Sequence, residues 1–415
     1  MNLKSTALWS ALAAVISLAN SFISVKLVAV IIGPSGVGRV GQLSNFNAIL
    51  MTIALGGVST GIIKYTAEFK DNIVELRKIW QTASSISLVL IAVIAMGLIL
   101  FHNLLSIQIL HSTQYGSIFV VLAFSLFFYV ANTFLLNILN GLHLIKRFTV
   151  LNMINNCTGL LVTLLLVNFL RLYGALLALV TVQSVTFLVI VTFVSRQDWF
   201  KLGNFFGKID CKYLRLLLAF TVMALVNLCV SPLSQMLIRG YLVDHTSWDI
   251  AGCWQGMQKI SDSYLMIVYT ALGTYYLPKL SATQCKIRIH NEIMNGYKLV
   301  MPLVIVSATV IYLCRDLVIH ILFAKSFGAM RGMFFWQLFG DVFKVASFLI
   351  GYLLVAKSKV KLYAIVQVLF GVTLLWLSYL FISFNGADGA VQAFCLNYLL
   401  FFVFMVYIYK KGILV

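Results

Sequence analysis

The chain is 415 residues long, 61% hydrophobic and only 10% charged. A soluble globular chain is nearer half apolar and a quarter charged. This one could not clothe its surface in polar groups, so soluble-enzyme and disordered readings fall together. Thirty Lys and Arg against twelve Asp and Glu leave a formal +18. In a soluble protein that would raise nucleic acid; in a membrane protein the first matter is where the charges sit.

The N-terminal apolar run continues past Asn20 to Ile32, too long for the core of a signal peptide, and reads as an uncleaved first span. A bilayer-crossing helix needs about 20 mainly apolar residues. Twelve stretches qualify: 6–32, 41–66, 79–101, 116–141, 149–170, 174–195, 213–240, 249–278, 294–314, 331–356, 362–384 and 389–409. They tile nearly the whole chain and leave no loop large enough for a domain. The expected fold class is therefore all-α integral membrane, and function must lie among the helices.

Basic residues set orientation. With the N-terminus in the cytoplasm, 21 of the 30 Lys and Arg fall in cytoplasmic segments, including Lys146 and Arg147, Lys201 and Lys208, and Lys357, Lys359 and Lys361. Six fall outside, and Lys26, Lys259 and Lys344 lie at depth. Both termini are then cytoplasmic. Most of the net charge thus serves orientation and contact with inner-leaflet lipids, and no nucleic-acid partner is expected. The longest cytoplasmic connection, Arg196 to Lys212, divides the chain into an N-terminal lobe, 1–205 with spans 1–6, and a C-terminal lobe, 206–415 with spans 7–12. Gly41 and Tyr65 recur as Gly252 and Tyr276, a weak echo of duplication. Two parallel six-helix halves with a substrate path between them are a familiar transporter plan.

A charge at mid-bilayer costs about 2.5–3.5 kcal/mol on insertion scales, so each needs a reason. Span 8 carries Lys259 and Asp262; span 10 carries Asp341 and Lys344. Each pair is spaced i, i+3 on one helix face, near the membrane midplane. Either each pair neutralises itself and helps packing, or the four line a water-filled cavity. Their polar company, Gln255, Gln258, Ser261, Ser263 and Gln337, favours the cavity. Lys26 either snorkels outward or faces that cavity. Arg239, near an outer helix end, and Lys64, near an inner one, have interface anchoring as their ordinary explanation. The segment 315–331 reads as a short outer helix lying in the interface.

Nucleotide-triphosphatase and zinc-hydrolase signatures are absent: there is no GxxxxGK[ST] and no HExxH. The six histidines are scattered, and the seven cysteines form no CxxC, so no metal, cofactor or disulfide framework is expected. Gly33 to Gly38 reads as a tight outer turn rather than a phosphate loop.

The segments KLVAVIIGPSGVG (26–38), KYTAEF (64–69), WDIAGCWQGMQKISDSYL (248–265), YYLPKLS (275–281), AMRGMFFWQLFGDVFKV (329–345) and GADGAVQAF (386–394) together resemble Wzx-type flippases. These form the polysaccharide transporter family of the multidrug/oligosaccharidyl-lipid/polysaccharide superfamily. The likeness is strongest to the branch serving enterobacterial common antigen and runs from end to end. It implies about twelve helices in two six-helix lobes around a central cavity. It also implies an undecaprenyl-diphosphate-linked oligosaccharide, of O-antigen or common-antigen type, carried from the cytoplasmic to the periplasmic leaflet of the bacterial inner membrane. Polymerase and chain-length proteins of the same lipopolysaccharide or polysaccharide biosynthesis pathway would be its partners. Lys26, Arg239, Asp262, Asp341 and Lys344 match family motif positions, whereas Lys259 stands where a small polar residue is expected. These six are the candidate substrate-binding or coupling residues. A multidrug/cation antiporter of the same superfamily and a membrane glycan polymerase are the alternatives.

Overall fold

The computed structural model describes residues 3–357 and 359–412, without the side chains of 3–15, 18, 219, 220, 222–227, 274 and 360. The two chain ends themselves, expected in the cytoplasm, lie outside the described residues. The described chain is almost wholly helical, the solution open to a segment whose backbone must satisfy its own hydrogen bonds in lipid.

The helices are α1 (Leu3–Ile31), α2 (Pro34–Ala54), α3 (Ser59–Glu68), α4 (Ile73–Leu100), α5 (His102–Leu110), α6 (Gly116–Gly141) and α7 (Ile145–Val194). They continue as α8 (Cys211–His245), α9 (Trp248–Ala271), α10 (Leu277–Ala282), α11 (Lys286–Leu313), α12 (Arg315–Leu322), α13 (Met333–Ala356) and α14 (Val360–Lys410). The twelve apolar stretches fall mainly on helical backbone, the second being interrupted at 55–58. Among the described residues, six helices are long and apolar enough to cross a bilayer, or seven if α2 and α3 count as one span bent by 45°. The bend has a local cause. Gly56 and Gly57 take positive φ, +61° and +63°, a region closed to most other residues.

α7 and α14 are each about twice the length of one crossing, and each reverses at a single residue. Arg171 has φ 50° and ψ −124°; Gly386 has φ 54° and ψ −123°. Three residues on, a Cβ at Gly174 would lie 1.9 Å from the Leu166 carbonyl oxygen, and one at Gly389 would lie 2.2 Å from that of Phe381. Only glycine lets the returning arm close so tightly. The same turn thus ends both halves of the sequence. The order of the other elements repeats as well: Ile73–Leu100 is answered by Lys286–Leu313, His102–Leu110 by Arg315–Leu322, and Gly116–Gly141 by Met333–Ala356.

The chain packs as two compact units, Met1–Ile31 with Gln42–Leu233, and Ile32–Gly41 with Ser234–Val415. In the first, Trp80 is fully buried at the centre of an apolar core with Ile62, Ile79, Ile138, Leu217 and Phe205. Its indole donates to Thr66 Oγ1 at 3.0 Å, and its ring stacks on Phe205 at 5.9 Å. The connection after α7 is therefore not a loose linker. Ser84 donates to the Phe205 carbonyl, and Gln81 donates to the carbonyls of Gly203 and Phe206 at 2.8 and 3.2 Å. The second unit has its own core around Leu265, Leu280, Leu349, Leu353 and Met405. Large apolar side chains on the outside, such as Phe169 and Phe384, 82% and 79% exposed, are what a lipid solvent permits.

Between the third and fourth apolar stretches lies α5, closed by His111 in the left-handed region (φ 51°). Two local expectations change. The segment 315–331 is two pieces, α12 and a 3-10 stretch (Lys325–Gly332), tied by Arg331 Nε to Asp316 Oδ1 at 3.0 Å. At 33–38 only Gly33 makes the turn (φ +81°), and Pro34 already opens α2.

Candidate functional site: a polar seam through the second unit

The second unit is organised along α9. Its N-terminus is fixed by Ser247, whose hydroxyl accepts from Ile250 N–H at 3.3 Å. A Cβ on Gly252 would lie 1.7 Å from the Pro34 carbonyl oxygen, so the start of α2 packs directly against the α9 backbone. Asp249 accepts from the Ser35 N–H at 3.1 Å, and the Arg39 guanidinium sits 4.9 Å from the Trp248 ring centroid.

One helical turn further in, Arg239 of α8 is fully buried. It donates to Gln255 Oε1 and lies 5.4 Å from the Trp254 ring centroid. Interface anchoring, its ordinary explanation from sequence, does not describe a guanidinium with no solvent exposure. From Gln255 the polar side chains of α9 continue into α13. Gln258 Nε2 donates to Gln337 Oε1 at 3.1 Å, and Gln337 Nε2 reaches Ser261 Oγ and Asp341 Oδ1, both at 3.4 Å. Buried polar groups are costly unless paired in this way.

Asp341 is completely buried and receives neutral donors. Ser261 Oγ lies 2.6 and 2.7 Å from its two oxygens, and Tyr264 OH donates at 2.9 Å. Lys344, one turn along α13, is caged. Its ammonium lies 5.9 Å from the Tyr269 ring, 5.7 Å from Phe394 and 5.7 Å from Tyr398, within the range of cation–π attraction. Its ion-pair partner is Asp262 of α9, at 3.8 Å. The charges therefore do not neutralise in i, i+3 pairs along each helix. Lys344 of α13 reaches Asp262 of α9, and Asp341 is met by hydroxyls and an amide.

Five candidates thus lie in one unit: Arg239, Lys259, Asp262, Asp341 and Lys344. Lys259 and Asp262 are on the exposed face of α9, whereas Arg239 and Asp341 are on its buried side. Lys26 belongs to the first unit and is exposed near the end of α1; Lys64, 4.9 Å from the Tyr65 ring centroid, is exposed there too. Sequence reading missed Tyr264, Tyr269, Phe394 and Tyr398. In a chain with 18 Tyr and 31 Phe, aromatic identity carries little signal, and only the packing of α9 and α14 on α13 shows which rings surround the charge. It also missed Asn132 Nδ2 donating to Gln183 Oε1 at 2.6 Å in the first unit.

Chemically, the seam offers a caged ammonium, a buried guanidinium and amide groups. That is an inventory for holding a polar, anionic group within an apolar body.

Comparison with known proteins narrows this. The profile of a family described as "Polysaccharide biosynthesis protein" matches residues 3–284. Proteins called lipid III flippase from Escherichia coli K12 and from Shigella flexneri are each 28% identical over 402 residues, 97% of both chains. Among solved structures, an inward-facing multidrug-resistance transporter of the MOP superfamily superposes with a TM-score of 0.75, at 12% identity over 97% of this chain and 98% of that one. The lipid II flippase MurJ in an inward closed state gives 0.69, at 12% identity over 98% of this chain and 87% of its own. The fold is theirs: an all-α, multi-pass membrane architecture.

Proposed function

This chain belongs to the polysaccharide biosynthesis protein family, and from that membership we propose that it is a flippase for a lipid-linked oligosaccharide, a transporter and not an enzyme. The observation that carries this reading is the similarity to the two lipid III flippases, which extends over nearly the full length of both partners.

The substrate is an undecaprenyl-diphosphate-linked oligosaccharide of O-antigen or common-antigen type, moved from the cytoplasmic to the periplasmic leaflet of the inner membrane. The physical problem is its head. An anionic diphosphate and a sugar unit cannot cross about 30 Å of hydrocarbon unaided. The protein replaces the head's water with Arg239, Lys344 and Lys259 for the charge and amides for the hydroxyls, while the polyprenyl tail stays in lipid. We assign it twelve spans in two six-helix lobes, 1–205 and 206–415, working by alternating access around a central cavity, with both termini cytoplasmic. Lys26 contributes from the first lobe. Asp262 and Asp341 hold the cations or couple to an ion. Exporting two negative charges from a negative-inside cell is downhill by about 2.3 kcal/mol per charge per 100 mV, so ATP is not required. Polymerase and chain-length proteins of the pathway act on the product.

The antiporter reading is weaker. It needs a free acid for a cationic substrate, whereas Asp262 faces Lys344 and Asp341 is filled by hydroxyl donors. Deleting the gene tests the proposal. A flippase defect accumulates carrier-linked oligosaccharide at the cytoplasmic face, whereas a polymerase defect leaves single repeat units exported.

A further inference from the structure

The contact between Lys344 and Asp262 is unlike the others in the seam. Gln258, Ser261 and Tyr264 meet their partners at 2.6–3.1 Å. The Lys344 ammonium stands 3.8 Å from Asp262 Oδ1, beyond the 2.7–3.2 Å or so of a hydrogen bond. The contact is thus an ion pair held short of a hydrogen bond. The ammonium otherwise lies among the rings of Tyr269, Phe394 and Tyr398, whose faces attract a cation. The two partners also differ in access. The Lys344 side chain is 12% exposed and that of Asp262 is 56%. The cation is fixed in place; the anion is at the open edge. Lys259, three residues earlier on α9, shares that exposed side.

We propose that Asp262 is a displaceable internal counter-ion, occupying the seat at Lys344 that the substrate's diphosphate takes when it binds. This rests on the flippase reading for the identity of the anion, and it adds the regulation of the site. A diphosphate oxygen can approach an ammonium to about 2.8 Å and engage several donors, which Asp262 at its present distance does not. Displaced, Asp262 swings into the open with Lys259 beside it, so its charge is not stranded. The device holds the caged ammonium charged and compensated between substrates, and it discriminates against weak anions that cannot outcompete a tethered carboxylate. Asp341 has no such freedom, because its oxygens are already filled from two helices.

An acid that competes with an anionic ligand produces an effect of unusual sign: removing a charged residue of the site tightens binding. The experiment uses the full-length protein in lipid nanodiscs with farnesyl diphosphate as probe and farnesol as uncharged control. Asp262→Asn should lower the Kd for farnesyl diphosphate about three- to fivefold, the range for a partly exposed ion pair, and leave farnesol unchanged. The gain should vanish on a Lys344→Gln background and persist with Lys344→Arg. Unchanged or weaker binding by Asp262→Asn overturns the proposal, as does a gain that survives Lys344→Gln. Should Lys344→Gln fail to fold, the Asp262→Asn measurement alone, with Lys344→Arg, still decides. The flippase reading fails separately, through the absence of carrier-linked oligosaccharide accumulation in deleted cells, whatever the farnesyl diphosphate result.

Discussion

Ser261 of α9 donates its hydroxyl to the carboxylate of Asp341 on α13, lying 2.6 and 2.7 Å from its two oxygens. It ties together the helices that carry the candidate charges and joins two fully buried residues. A carboxylate in this position is tolerable because Ser261, Tyr264 and Gln337 all point donors at it. Ser261→Ala removes one donor and leaves the carboxylate under-solvated, at a cost of about 1–3 kcal/mol. Thermal unfolding in detergent should register the loss. Asp341→Asn should be milder than Asp341→Leu, because the amide oxygen still accepts from Ser261 and Tyr264. Equal stability for all three variants would mean that the link bears no structural load.

The two hairpin turns predict opposite outcomes for similar changes. Arg171 adopts φ 50°, ψ −124°, a conformation that its Cβ opposes, whereas the matching Gly386 adopts it freely. Arg171→Gly should be neutral or stabilising in thermal unfolding. Gly386→Ala should cost about 1–2 kcal/mol. Gly174→Ala and Gly389→Ala should be worse, since each new methyl meets a carbonyl oxygen of the preceding arm; loss of folded protein in size-exclusion chromatography is the expected result.

Native cysteines report orientation and reactivity together. Cys285 and Cys314 are both exposed, and the proposed topology puts Cys285 inside and Cys314 outside. A membrane-impermeant maleimide added to intact spheroplasts should label Cys314 and reach Cys285 only after lysis; the reverse pattern inverts the topology. Cys285 also carries a pH signature. The backbone N–H groups of Arg288 and Ile287, at the start of α11, stabilise its thiolate and hold the thiol below its ordinary value. Because the thiolate is the reactive form, its alkylation after lysis should rise with pH and level off earlier than that of a cysteine in an unstructured peptide.

Much of this architecture was legible in the residues, for a plain reason. Long apolar runs in a chain this poor in charge have few places to go but across a membrane, and they fall mainly on helix, the second being broken at 55–58. The KISD and GDVFK segments announced that charges lie within spans. The pairing of those charges was not legible. Spacing places Lys259 and Asp262, or Asp341 and Lys344, on one face of a helix, but says nothing of which helix that face meets. Only the packing of α9 against α13 turns Lys344 toward Asp262 and leaves Asp341 to Ser261. The helix at 102–110 is hidden for another reason: it is too short to span and falls between two span-length runs, where it reads as a connection. Arg239 lies near a span's end in sequence, which points to water, whereas in the fold Trp254 and Gln255 of α9 pack against it and it is fully buried.

The central claim is that this chain moves a lipid-linked oligosaccharide across a bilayer. Purified protein in proteoliposomes, loaded with carrier-linked oligosaccharide extracted from its own source cells, allows that movement to be measured directly. The readout is the fraction of oligosaccharide that becomes accessible to an impermeant glycosidase or lectin on the opposite face. The account predicts protein-dependent translocation, faster under a potential that is negative on the starting side, and strongly reduced by Lys344→Gln and Arg239→Gln at equal reconstitution. Translocation no faster than in protein-free vesicles would contradict it.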